Sequence, residues 1–151
     1  MEDGRIPLYK GSYQMRFLSY LLMFALIGCQ ATPEKAASVQ ILPESAPIPA
    51  FPELMDRARN QASFATEAFF VNNWKGLEDA AKSLEQTSRL ISKTSDIPEN
   101  QKKSFIDISS ELNQEAVKLK EAASTKNENE TTNCLQKIHL KIRQLRISPD
   151  A

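Results

Sequence analysis

Apolar residues fall along this chain in three rhythms. Residues 17–28, Phe-Leu-Ser-Tyr-Leu-Leu-Met-Phe-Ala-Leu-Ile-Gly, form the one long apolar run. From Gln30 to Pro52 the prolines at 33, 43, 47, 49 and 52 break any period among Ala, Ser, Glu and Gln. Beyond Pro52 the apolar residues return at steps of three and four, the stripe of an amphipathic helix. These rhythms predict a short apolar leader, a stiff linker and a helical domain.

Four helices are expected in the last region. The first, about 52–71, turns Leu54, Met55, Ala58, Ala62, Ala65 and Phe69 inward. Pro52 suits a first helical turn, and Glu53 and Asp56 favour the positive end of the helix dipole. The second, about 73–93, repeats the spacing with Trp74, Leu77, Ala81, Leu84 and Ile91, and Asn73 has the chemistry of an N-cap. Asp96-Ile97-Pro98-Glu99 marks a break and a restart with Pro98 in the first turn; Phe105, Ile108, Leu112, Ala116, Leu119 and Ala123 follow as a stripe. Residues 124–129 are a polar break in which Asn127 and Glu130 have the form of a capping box. The last helix runs to about Arg146 with Leu135, Ile138, Ile142 and Leu145 inward, and Pro149 stops it. Short loops between such helices place neighbours antiparallel. The expected fold is therefore all-α: an antiparallel up-down-up-down four-helix bundle over 52–147, with a tail at 148–151.

Composition narrows the function. With 41% hydrophobic and 25% charged residues, the 151-residue chain has the make-up of one ordinary domain plus accessories. Lys and Arg number 19, as do Asp and Glu, so no net field draws it to nucleic acid. Neither a phosphate-binding loop, a nucleophile triad nor a metal cluster stands out, so neither an enzyme nor a metal site is expected. Cys29 and Cys134 are the two cysteines, too few for a disulfide framework.

The apolar run is short for a bilayer-spanning helix, which needs about 20 apolar residues. Preceded by Lys10 and Arg16, it has the layout of a secretory signal, although an uncleaved anchor helix is the alternative. It closes on Leu26-Ile27-Gly28-Cys29, which resembles the lipobox of bacterial lipoproteins. The resemblance implies that residues 1–28 are a signal peptide, and Met15-Arg16 would make a more compact start for it. It also implies that Cys29 takes a diacylglycerol on its thiol and becomes the acylated, palmitate-bearing N-terminus. Gln30, where an Asp would mark inner-membrane retention, implies an outer-membrane anchor facing the periplasm. Residues 29–51 are then a lipidated Pro-rich tether. At about 3.1 Å per residue in the polyproline conformation, it would hold the domain tens of ångströms from the lipid. The expected partners are membrane lipid, through acylated Cys29, and an envelope protein or small ligand.

The helical region has a second likeness. An early Met, a Trp opening helix two, a Phe opening helix three and His139-Leu140-Lys141-Ile142-Arg143 near the end resemble the four-helix-bundle cytochromes of b and c-prime type. The resemblance implies Met55 and His139 as axial ligands of a non-covalent haem b. Covalent haem needs Cys-x-x-Cys-His, which the run from Cys134 to His139 does not provide. Leu135, Ile138, Ile142 and Leu145 centre the apolar face of this helix, so His139 falls to one side and Cys134 to the other. The alternative to haem is a bundle that keeps the shape without a cofactor, with Cys134 half-buried as packing. The expected function is thus an envelope lipoprotein presenting a helical interaction or structural module, with haem electron transfer as the alternative.

Overall fold

The computed structural model describes residues 39–43 and 45–146. The expected signal peptide over 1–28, Cys29, Pro149 and the expected tail at 148–151 lie outside the described residues.

Four helices account for most of what is described: α1 (Phe51–Phe70), α2 (Trp74–Ile91), α3 (Glu99–Thr125) and α4 (Glu128–Gln144). The fold is all-α, and among the described residues no helix is long and apolar enough to cross a membrane. Each helix packs on the next, and α4 returns to α1. Cross-helix pairs give the directions. Lys141 meets Glu111 while Lys137 meets Glu115, so position rises on α3 as it falls on α4. Along α1, Met55 lies beside Leu145 whereas Thr66 meets His139. The Phe51 ring, at the start of α1, and the Phe105 ring, in the second turn of α3, meet at a tilt with centroids 5.3 Å apart. An up-down-up-down path makes such pairs.

Local chemistry explains the boundaries. Asn73 caps α2 by accepting from the Gly76 N–H at 2.9 Å. A Cβ on Gly76 would meet Asn73 Nδ2 at 2.6 Å, so the cap needs glycine there. Asn127 Oδ1 accepts from the Glu130 N–H at 3.1 Å, one half of the expected box. Two corrections concern α3 and α4. Pro98 sits at the N-cap of α3 instead of in its first turn. The polar break is also shorter than expected, because α3 persists to Thr125 and closes on Lys126 with φ of 53°. That left-handed closure lets Asn127 N–H bond the Ala122 carbonyl at 2.9 Å, a Schellman-type end that offsets the strain of a non-glycine residue.

The inward stripes follow the predicted spacing, except that Phe69, Trp74 and Ile108 are only partly buried against the core. Leu54, Leu77, Leu84, Leu112, Leu119, Ile138 and Leu145 are completely buried in one cluster. The small residues Ala58, Ala62, Ala65, Ala80 and Ala81 are buried as well, so α1 and α2 approach closely.

The main departure lies before α1. The sequence predicts a free spacer through residue 51, yet Phe51 is buried as the first residue of α1. Residues 39–43 and 45–50 lie along the bundle as a strap. Gln86 bonds Leu42 in both directions: it accepts from the Leu42 N–H at 2.7 Å and donates to the Leu42 carbonyl at 2.7 Å. The buried Ser83 hydroxyl reaches the Val39 carbonyl, Arg57 donates to the Gln40 carbonyl at 2.8 Å, and Phe51 N–H donates to Asp96 at 3.4 Å. Residues 39, 42 and 51 therefore meet 83, 86 and 96, so strap and α2 run in the same direction. A Pro-rich chain has few internal partners for its peptide groups, and α2 supplies them.

Candidate functional site

The seam between α1 and α4 holds a groove of about 200 Å³ lined by Thr66, Phe69, Phe70, Thr132, Leu135 and His139, with Gln136 at its rim. One turn of α1 contributes the two phenylalanines, and successive turns of α4 contribute Thr132, Leu135 and His139. Phe69 is wedged edge-on against Trp74 at 5.8 Å, which fixes the floor at the α1–α2 turn. Phe70 faces outward and is 77% exposed.

His139 is an exposed residue on this groove, with Nε2 3.0 Å from Thr66 Oγ1. The Thr66 hydroxyl donates to the Ala62 carbonyl at 2.9 Å. While the hydroxyl proton is directed there, its oxygen is an acceptor for a hydrogen on His139 Nε2. The site can hold an apolar side chain against two rings and offer a polar contact at its edge.

Met55 is elsewhere. It is 2% exposed, packed in the core near Leu145. Eleven residues separate it from Thr66, the partner of His139, or about 16 Å along α1 at 1.5 Å per residue. Axial ligands of one iron must flank it at bonding distance. Met55 and His139 therefore do not fit the haem arrangement that the cytochrome likeness implies. Met55 is core packing, and His139 belongs to the groove.

Cys134 sits on the opposite flank of α4 from His139, fully buried where half-burial was expected. Its Sγ lies 3.6 Å from Glu130 Oε1. Burial, with Glu130 and Glu115 adding to it, pushes the thiol up to about 11. It stays protonated at neutral pH and is a poor nucleophile. Among the described residues no group of three or more His, Cys, Asp or Glu is placed to hold a metal ion.

A wider hollow of about 480 Å³ lies where the strap turns at Pro43–Ala46, between Leu42, Pro47 and Ile48 on one side and Gln86, Leu90 and Lys93 on the other. The strap contacts themselves went unread in the sequence. The available signal was the pair Val39 and Leu42, apolar at a step of three inside the Pro-rich stretch, opposite Ser83 and Gln86 at the same step on α2.

Comparison of the chain with protein-family models, curated proteins and solved structures finds no match.

Proposed function

We propose that this protein is a bacterial lipoprotein, anchored by acylated Cys29 in the outer membrane and presenting its four-helix domain to the periplasm as an interaction module. The observation that carries the reading is Leu26-Ile27-Gly28-Cys29 at the end of the apolar run. A thiol is the side chain that takes a lipid as a thioether, and Gly28 leaves a peptidase room at the following bond. Two or more acyl chains hold a protein stably where one binds only marginally.

The α1–α4 groove supports the interaction role. At about 200 Å³ it is smaller than the 300–1,000 Å³ of small-molecule pockets, and its size suits one or two side chains of a protein partner. Phe69 and Leu135 would take the apolar part, and His139 a polar group beside it. The test is the mass of the mature N-terminus after expression of the full chain in a bacterial host. A cleaved, diacylated Cys29 is expected, with loss of membrane attachment in Cys29→Ser. An intact leader or an unmodified thiol would refute the anchor.

A further inference from the structure

We infer that the α1–α2 turn is the end of the domain that meets the lipid surface, with Phe70 and Val71 entering the headgroup boundary. This rests on the anchor proposed above and adds an orientation to it.

Two observations point the same way. Phe70 and Val71 are 77% and 73% exposed, adjacent in sequence at the tip of the bundle, and backed by the Phe69–Trp74 pair that holds the turn rigid. Asn72 follows with φ of 56°, so the chain reverses sharply and leaves the two side chains at the apex. The other observation is the strap. Read backward from Phe51, it climbs α2 from Asp96 to Gln86 to Ser83, toward Trp74. Its last described residues, Val39 to Ile41, lie beside Asp79, and Ile41 is itself 58% exposed.

The chain thus leaves the described domain aimed at the Phe70–Val71 end. From Ser83 to Trp74 is about 14 Å of helix. Ten residues lead from Cys29 to Val39, and they span at most about 33–36 Å. An anchor at Cys29 lets this tip reach the bilayer, and the direction of the strap, away from the α2–α3 loop, selects it over the opposite end. Aromatic and aliphatic side chains beside a polar turn suit the boundary between headgroups and acyl chains. The neighbouring Lys75, an exposed residue paired with Asp79 at 2.6 Å, suits the headgroup layer.

Trp74 is the single tryptophan of the chain and stands at this end, so it reports the contact directly. The lipidated mature protein, purified from membranes, is reconstituted into phosphatidylethanolamine–phosphatidylglycerol vesicles with brominated acyl chains. Quenching of Trp74 emission is expected. The double variant Phe70→Ser, Val71→Ser, at exposed positions that spare the core, should lose the quenching while staying vesicle-bound. Trp74→Phe combined with Ser95→Trp moves the reporter to the α2–α3 loop, where no quenching is expected. A vesicle-bound, diacylated protein with unquenched Trp74, or with a quenched reporter at 95, would overturn this orientation and leave the anchor standing. Self-association abolished by Phe70→Ser, with Trp74 unquenched on vesicles, would assign the patch to a second copy instead. An unlipidated Cys29 would overturn both readings.

Discussion

Helix α1 has two flanks, and the protein treats them differently. On the α2 side, residues 39–43 and 45–50 lie over the bundle, fixed by Arg57, Ser83 and Gln86 to backbone carbonyls and one N–H of the strap. On the α4 side the seam is left open, lined by Phe69, Phe70 and Leu135 and crossed by the Thr66–His139 hydrogen bond. The covered flank uses few large apolar contacts and the open one displays them. A segment rich in proline is docked by satisfying its peptide groups, whereas an exposed aromatic surface gains most when something else buries it. The first flank is suited to fix geometry within the chain, the second to meet a partner.

The contrast can be broken at several strengths. The largest effect is expected where both flanks share a foundation: Leu54→Ala, at a completely buried position, should cost about 2–5 kcal/mol in denaturant unfolding. It should weaken both flanks together.

Gln86→Ala should cost about 1–3 kcal/mol by leaving both backbone groups of Leu42 without their partner. Hydrogen exchange at Leu42 should rise, and protease should cut within 39–50, while α1–α4 stay protected. If the strap remains protected, its docking depends on Val39 and Phe51 instead. Lys126→Gly, which relieves a left-handed non-glycine position, should stabilise the α3–α4 turn by roughly 1 kcal/mol. Neither flank should change.

The smallest effect is expected at the open flank. Thr66→Val removes the acceptor of His139 at an exposed bond and should cost no more than about 1 kcal/mol. His139 ring signals in NMR should shift, with the strap unperturbed.

The buried thiol adds a pH dependence. Because the Cys134 thiol is raised from its ordinary value of 9.0 to about 11 in the folded protein, its neutral form is favoured by folding. Its contribution to stability is complete below pH 9 and is lost as pH rises toward 11. Comparison with Cys134→Ala should show the difference narrowing over that window. Alkylation of the native protein near pH 8 should be slow and become fast on unfolding.

The helices, their caps at Asn73 and Asn127, and the inward stripes were legible in the sequence because a period of 3.6 and the chemistry of a cap are local. So were the two flanks of α4, since Cys134 and His139 lie on either side of the Ile138–Ile142 line whatever packs against it. The pairing of Met55 with His139 was not legible. A likeness in residue order carries no distance, and the antiparallel path of α1 against α4 puts Leu145 beside Met55 and Thr66 beside His139. The strap was hidden for a similar reason: proline predicts an extended conformation, and an extended chain is free or docked according to what lies 44 residues further on.

What the sequence alone determined, then, is the all-α fold, the buried faces and the lipobox-like Leu26-Ile27-Gly28-Cys29, all of them patterns among near neighbours. Tertiary structure alone decided that Met55 is core, that His139 leans on Thr66 beside an open groove, and that Gln86 holds Leu42. Each of those depends on residues far apart in the chain meeting at one distance.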